Sequence, residues 1–329
     1  MVVRLFSHYK MRVYMTINFN NSYASNLVIA LMIYHSRFVI AFFLLFSVAL
    51  IFSPTILLTY AGPAPNQNAS SPLTVNASNT FRIAVIGDVD SNPGLTEQLD
   101  LMNKYHVQTL LLAGDFEYTD GKAVLDDLTK HGFGKNNSDI VVGNHDSAND
   151  VNSWLGTNTT FGKHVFAQGK VAVFNIDANI QFDCSSPQFL TVQSNIEQSQ
   201  AQYKIALVHQ PFVTVKSKHP DNGQFDCYNP MFKANNIIAV LQAHNHNYQK
   251  EIVSDIFYGV FGTGTHDVGS KMYPCDSKTD QNGVPALCIT GENGITILDL
   301  QIDNASLKHI DGWFVNSAEK VIDKFSLGN

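Results

Sequence analysis

The sequence predicts an α/β domain preceded by one apolar segment, and three observations support this prediction. From Phe81 onward, short apolar runs alternate with amphipathic stretches, which is typical of a parallel sheet covered by helices. Before that point, residues 38–61 form an apolar run without a single charge. All 28 acidic residues of the 329-residue chain lie at or after Asp88. The N-terminal part without acidic residues and the acidic remainder of the chain are therefore expected to have different functions.

The charge balance excludes several classes of protein. Charged residues make up 15% of the chain and apolar residues 45%, too many apolar residues for a disordered chain. From Arg82 onward there are 17 basic and 28 acidic residues, a net charge of −11, against −7 for the whole chain. Nonspecific nucleic-acid binding needs basic residues that neutralise phosphates. We therefore expect no nucleic-acid partner.

The first 80 residues predict export across a membrane. Residues 38–61 are long enough to cross a bilayer, and the basic extension 1–37 places the N-terminus in the cytoplasm. Residues 62–80, rich in Pro, Asn and Ser, predict a flexible linker. If the apolar segment is a retained anchor, the domain lies on the extracellular side of the cell membrane. If it is a signal cut after a small residue such as Ala61, the domain is secreted. A start at Met32 would give a more ordinary signal.

Sequons and cysteines agree with an oxidising compartment. Asn-x-Ser/Thr triplets begin at Asn68, Asn76, Asn136, Asn158 and Asn304. The four cysteines allow three pairings, of which Cys184–Cys227 and Cys275–Cys288 are favoured. Four reduced, buried thiols are the alternative.

The elements of the domain begin with a β-α-β-α-β order. Residues 82–87 predict a buried strand and residues 95–105 a helix. The same pair of patterns recurs at 107–113 and 123–130, and residues 139–142 predict the third strand. This order predicts a parallel sheet.

The rest of the domain is increasingly rich in strands. Further strands are predicted at 171–176, 204–208 and 237–242, with a polar helix at 188–202. After residue 256 the pattern is mostly β, with strands at 257–261, 295–302, 307–314 and 321–325. The last two flank a hairpin turn at 316–319. One domain is therefore predicted to occupy residues 81–329.

Five short polar motifs follow five of these strands. The motifs contain Asp88 and Asp90; Asp115 and Tyr118; Asn144 and His145; His209; and His244 and His246. The carboxyl ends of strands in α/β sheets are where ligands bind. Carboxylate, amide and imidazole groups are the ligands of hard or borderline metal ions. The set predicts a metal site.

Together these motifs resemble those of the calcineurin-like metallophosphoesterase superfamily, over residues 81–329. The resemblance implies an α/β sandwich of two mixed sheets flanked by helices, with a two-metal centre. Asp90 stands where the family has a histidine, and Ala243 where it has a glycine. The Gly-Asp-x-x-Tyr motif that ends in Tyr118 is similar to the purple acid phosphatase branch. There a tyrosinate replaces the missing histidine, and a phenolate favours Fe(III).

The resemblance also implies a role for each motif residue. Asp88, Tyr118 and His246 would hold Fe(III), while Asn144, His209 and His244 would hold a divalent iron, zinc or manganese ion. Asp115 would bridge the two ions. His145 would be catalytic, His219 and His266 would contact the substrate, and Asp90 would lie behind the ligands without binding metal.

The implied function is an exported or membrane-tethered phosphoesterase of acid-phosphatase type. It would hydrolyse phosphate esters with a metal-bound hydroxide. Two alternatives stay open: a phosphodiesterase that acts on nucleotides or lipid head groups, and a non-catalytic metal-binding surface module. A P-loop, a Gly-x-Ser-x-Gly elbow and a Rossmann glycine pattern are absent from the sequence, which excludes those enzyme classes.

Overall fold

The computed structural model describes residues 2–5, 13–16, 80–302 and 309–328. The predicted apolar segment lies outside these ranges, and so does the predicted linker apart from Thr80. Among the residues that are described, no helix is both long and apolar enough to span a membrane.

The chain divides into two compact units, Met1–Ala64 and Pro65–Asn329. In the first unit, strand β1 (Val2–Leu5) pairs antiparallel with strand β2 (Val13–Thr16).

The second unit contains thirteen described strands and five described α-helices. The strands are β3 (Thr80–Ile86), β4 (Thr109–Leu112), β5 (Ser138–Ile140), β6 (Gly162–Phe166), β7 (Val171–Ile176), β8 (Tyr203–Val208), β9 (Ala239–Gln242), β10 (Tyr248–Val253), β11 (Ile256–Phe261), β12 (Leu287–Ile289), β13 (Gly294–Gln301), β14 (His309–Asn316) and β15 (Val321–Gly328). The helices are α1 (Pro93–Lys104), α2 (Gly121–Lys130), α3 (Ala148–Leu155), α4 (Pro187–Gln198) and α5 (Phe225–Ala234).

These strands form two mixed sheets. One has six strands in the order β15-β14-β13-β3-β4-β5, and the other has seven in the order β12-β10-β11-β9-β8-β7-β6. Strands β3, β4 and β5 are parallel to one another, as are β7, β8, β9 and β11. The expectation of two mixed sheets flanked by helices is confirmed.

Alternation along the strands explains the layers. On β3, Ile83 and Val85 point into a core shared with the other sheet, which contributes residues such as Val173. The intervening Ala84 and Ile86 pack under α1, α2 and α3. The outer face of the second sheet packs in the same way against α4 and α5. A strand buried on both faces is mostly apolar, as β3 is apart from Thr80 and Arg82.

Two of the helices begin with the expected capping residues. Asn92 accepts hydrogen bonds from the backbone N–H groups of Gly94 and Leu95, and Ser186 caps α4 in a similar way. In both helices a proline occupies the first turn, where its missing N–H costs nothing.

The four cysteines form two disulfides, with the pairing that the sequence favours. Cys184 bonds to Cys227, and their Cα atoms are 5.5 Å apart. Cys275 bonds to Cys288 across a Cα distance of 5.8 Å. The alternative of four reduced thiols is therefore not what the structure contains.

Candidate metal centre

The polar motifs at the ends of β3, β4, β8 and β9 meet at one edge of the two sheets. The backbone of Asp88, which follows β3, is bonded to the neighbouring motif after β4, from Asp88 N to Gly114 O (3.0 Å). Asp88, Asp115 and His244 all have left-handed backbones, with φ of 60°, 56° and 70°. Such a conformation costs a non-glycine residue on the order of 1–3 kcal/mol and is concentrated at functional sites.

The Tyr118 hydroxyl is at the centre of the first group of predicted ligands. Its oxygen lies 3.0 Å from Asp88 Oδ1, 2.9 Å from Asp115 Oδ2 and 3.0 Å from His246 Nε2. His246 Nε2 is also 3.2 Å from Asp88 Oδ1. The structure thus brings together all three residues predicted for the iron site, with Asp115 beside them.

The second group lies on the other side of Asp115. His209 Nε2 is 3.2 Å from Asp115 Oδ2 and 3.2 Å from His244 Nδ1. The donor atoms of Asp115, His209 and His244 all lie within 4.8 Å of one another. His209 Nδ1 donates to the carbonyl of Ala113 at 2.7 Å, which leaves Nε2 to face the site. Asp115 therefore occupies the position that a bridging ligand requires.

The loop after β5 carries Asn144 and His145, whose side chains are both exposed. The His145 backbone N–H donates to Asp115 Oδ1 at 2.8 Å, which holds the loop against the site. Gly143 must be glycine, because a Cβ atom there would lie 2.0 Å from Asp115 Oδ1. Asp146 accepts hydrogen bonds from the backbones of Asp115, Phe116, Glu117 and Gly143.

The chemistry of these residues fits a cation. Burial would raise the pKa of Asp115, but His209 and the bonded N–H groups outweigh burial and hold this pKa below its usual range. Burial and the neighbouring His209 lower the pKa of His244 to about 3, so its imidazole is neutral and able to bind metal. Two buried carboxylates this close to each other call for compensating positive charge. The donor set therefore fits two metal ions.

Tyr118 itself needs a strong cation to become a ligand. Burial, together with the charges of Asp88 and Asp115, raises the pKa of the Tyr118 phenol far above its ordinary value. Only a highly charged ion at this position would draw off that proton.

A second layer of rings covers the rings of the predicted ligands. His266 stacks on Tyr118 with ring centroids 3.4 Å apart, and His219 stacks on His244 at 4.1 Å. The structure therefore places both predicted substrate-contacting histidines beside the centre. Asp90 accepts a hydrogen bond from the Thr119 hydroxyl and lies 3.7 Å from His266 Nδ1.

Sequence reasoning missed three residues that support the site. Asp267 Oδ2 accepts a hydrogen bond from His246 Nδ1 at 2.7 Å, and Tyr273 stacks on the His246 ring. The Asn293 side chain donates to the carbonyl of Asp267 at 2.8 Å. Asp267 directly follows His266, so an acidic residue beside a singled-out histidine was an available signal. For Tyr273 and Asn293 the sequence contains none.

A family model for calcineurin-like phosphoesterases matches residues 81–248, just over half of the chain. The chain therefore belongs to the calcineurin-like phosphoesterase family. This family hydrolyses phosphoester bonds and uses a dinuclear metal centre.

One curated relative is a "Probable cyclic nucleotide phosphodiesterase" from Vesicomyosocius okutanii subsp. Calyptogena okutanii (strain HA). It is 29% identical over 119 residues, which cover 32% of this chain and 48% of the relative. The chain thus matches about half the length of that relative.

Two solved structures share the fold. A purple acid phosphatase, PPD1, from yellow lupin (Lupinus luteus) seeds has a TM-score of 0.59 at 11% identity, covering 76% of this chain and 54% of that one. GAP50, described as the anchor in the inner membrane complex of Plasmodium, has a TM-score of 0.54 at 14% identity, covering 76% and 89%. At these identities the similarity shows the fold alone.

Proposed function

We propose that this family member hydrolyses phosphate monoesters at an iron-containing dinuclear centre, in the manner of an acid phosphatase. The observation that carries the proposal is the Tyr118 hydroxyl, within 3.0 Å of Asp88, Asp115 and His246. Phenolate oxygen is a hard anionic donor, which favours a trivalent ion.

Each half of the centre has its own donors. Asp88, Tyr118 and His246 would hold the iron, Asn144, His209 and His244 would hold a divalent ion, and Asp115 would serve both. When bound, the two ions supply the positive charge that holds phosphate and makes a water molecule acidic enough to act as a nucleophile. Protonation of His209 opposes metal binding. Burial lowers the pKa of His209, but Asp115 outweighs burial and raises this pKa to about 9. To bind a metal ion, His209 would have to give up that proton.

His145 acts on the leaving group. Its backbone is held by Asp115, and its ring centroid lies 4.5 Å from that of Tyr118, at the open side of the centre. From there the imidazolium donates a proton to the departing alkoxide, which leaves as the alcohol. His219 and His266 flank this opening and contact the substrate.

Iron is tested by metal content and the visible spectrum of the purified protein. We expect a tyrosinate-to-Fe(III) charge-transfer band that disappears in Tyr118→Phe and persists in Tyr105→Phe, which makes the same change in a tyrosine after α1. A colourless protein with two divalent ions would remove iron from the proposal and leave phosphoester hydrolysis intact.

A diester substrate is the second candidate, because the curated relative is a probable cyclic nucleotide phosphodiesterase. The monoester and diester proposals are distinguished by measuring kcat/KM for 4-nitrophenyl phosphate and for bis(4-nitrophenyl) phosphate with the same preparation of protein. A higher value for the monoester supports our proposal, and a higher value for the diester supports the alternative. Release of no phosphate from any ester would favour a non-catalytic metal-binding module.

We also propose that the domain works outside the membrane, either tethered or released after cleavage. The uncharged residues 38–61 and the two disulfides support this location. External protease added to intact expressing cells should degrade a tethered domain, and a secreted domain should appear in the medium. A domain protected inside the cell would refute the proposal.

A further inference from the structure

A lysine ammonium lies beside Tyr273, one of the two outer rings that cover the predicted histidine ligands, and the other ring, His219, follows this lysine in the chain. Lys218 Nζ donates to the Tyr273 hydroxyl at 2.9 Å and lies 4.2 Å from the Tyr273 ring centroid. That ring stacks on His246, with centroids 4.0 Å apart and planes 11° from parallel. The next residue, His219, stacks on His244. The Tyr273 ring therefore separates Lys218 from His246, a predicted ligand of one metal ion. The ring of His219, the residue after Lys218, covers His244, a predicted ligand of the other ion.

The backbone on both sides of Lys218 is fixed. Ser217 Oγ donates to the carbonyl of Pro274 at 2.9 Å. The Asp276 N–H donates to the carbonyl of Lys216 at 2.9 Å. These bonds join the segment of Lys218 to the segment of Tyr273, so the ammonium and the hydroxyl are presented together.

The same segments are tied to the loop that carries the ligands. The His219 N–H donates to Asn245 Oδ1 at 2.9 Å, and Asn245 Nδ2 donates back to the His219 carbonyl at 3.0 Å. The Tyr273 N–H donates to the His246 carbonyl at 3.0 Å. The position of Lys218 relative to the metal centre is thus set by five backbone or side-chain bonds rather than by a mobile surface loop.

Lys218 and Tyr273 have hydrogen-bond donors for which the described residues offer no acceptor. Lys218 is exposed and forms no ion pair within the described part of the chain, unlike Lys250, which pairs with Asp323. An ammonium has three donors, of which Tyr273 takes one. The Tyr273 hydroxyl accepts that bond, and its own hydrogen has no acceptor among the described residues. The nearby carboxylates of Asp88 and Asp267 already contact His246.

We propose that Lys218, the Tyr273 hydroxyl and the His219 ring form a second anion subsite beside the metal centre. It binds a phosphate or carboxylate of the substrate other than the phosphoester that is cleaved. This inference rests on the proposed function, and it assigns to that function a preference for substrates with two anionic groups. In an acidic domain such a group is otherwise repelled, so one positioned cation decides the preference.

The test compares propyl phosphate with propane-1,3-diyl bisphosphate, which has the same chain and a second phosphate. We expect the wild-type kcat/KM to favour the bisphosphate by more than the factor of about two that its two equivalent ends provide. Lys218→Ala should lower this ratio roughly tenfold through KM, since charged hydrogen bonds contribute in this range. Lys218→Arg should restore part of it, and Tyr273→Phe should lower it less.

Lys278→Ala is the matched control, because it removes the same charge from an exposed lysine in the loop closed by Cys275 and Cys288. It should keep the wild-type ratio. An unchanged ratio in Lys218→Ala would overturn the subsite.

Binding separates failure of the subsite from failure of the proposed function. The dissociation constants of both compounds are measured by calorimetry on the same proteins. If the wild-type protein hydrolyses neither compound, the proposed function fails, and the ratio of dissociation constants still decides the subsite. A ratio that falls in Lys218→Ala supports the subsite, and an equal ratio in both proteins refutes it.

Discussion

The orientation of His246 depends on a single carboxylate. Asp267 Oδ2 lies 2.7 Å from Nδ1, so the other ring nitrogen faces Asp88 and Tyr118. A carboxylate behind a metal-binding histidine fixes its tautomer and raises its basicity. Asp267 is itself 21% exposed and is held from behind by Asn293. Asp267 therefore orients a predicted metal ligand without being a ligand itself.

Asp267→Asn tests this arrangement. We expect metal affinity, measured by competition with a chelator, to fall about 10- to 100-fold, because an amide is a weaker acceptor than a carboxylate. Asp276→Asn makes the same change at an exposed residue of the neighbouring loop and should have no effect. An unchanged affinity in Asp267→Asn would show that His246 is oriented by other contacts.

His145→Ala tests the proton donor. The bond to Asp115 comes from the backbone, so the substitution removes the imidazole and leaves the loop in place. We expect kcat to fall by about 10²- to 10⁴-fold with both metal ions retained. His309→Ala, in a partly exposed histidine of β14, serves as the control. Undiminished turnover in His145→Ala would refute the role of general acid.

At the scale of elements, the sequence predicts best where a strand is buried on both faces. Strand β7 is apolar or small at almost every position, and its predicted bounds agree with the structure. Strand β10 includes Lys250 and Glu251 and exists because it pairs with β11 and β12, which no local pattern reveals. Helix α5 contains Pro230, and a proline normally argues against a helix. Tyr228 and Phe232 nevertheless lie one turn apart on this helix and are both buried against the sheet.

The same distinction applies to the site. The sequence predicts these candidate ligands because each follows a strand, and parallel strands end at a common edge. Tyr273 and Asp267 come from the connection between β11 and β12, which folds back over the centre. Their contacts depend on tertiary packing, so the sequence alone could not assign them.

The two disulfides are expected to contribute different amounts to the free energy of unfolding. Cys184–Cys227 closes a loop with a sequence separation of 43 and joins α5 to the segment before α4, whereas Cys275–Cys288 spans 13 residues. Chain entropy predicts a loss of about 4 kcal/mol for the first and about 3 kcal/mol for the second when both cysteines become serine. Denaturant unfolding of the two double variants measures this. A larger loss for the shorter loop would contradict the entropic account.

At the scale of the whole molecule, the second unit contains a pair of buried carboxyl groups outside the centre. Glu251 on β10 and Asp280 are each 6% exposed. Asp280 accepts backbone hydrogen bonds from Asn282 and Val284, at 2.9 and 2.7 Å. Burial and the charge of Asp280 raise the pKa of Glu251 to about 8. In the folded protein Glu251 therefore keeps its proton under conditions where the unfolded chain has lost it.

This pair makes folding stability depend on pH with a definite sign. Because the folded pKa of Glu251 lies above its ordinary value of 4.5, its contribution is complete at low pH and is lost as the pH rises through about 8. Between pH 5 and 8 the wild-type free energy of unfolding should fall, relative to that of Glu251→Gln, by on the order of 2–3 kcal/mol. The amide of the variant cannot ionise, so groups common to both proteins cancel in the difference. Denaturant unfolding at several pH values gives this difference, and a constant value across the range would mean that Glu251 ionises normally. This carboxyl pair, taken by itself, therefore favours the folded state in acid.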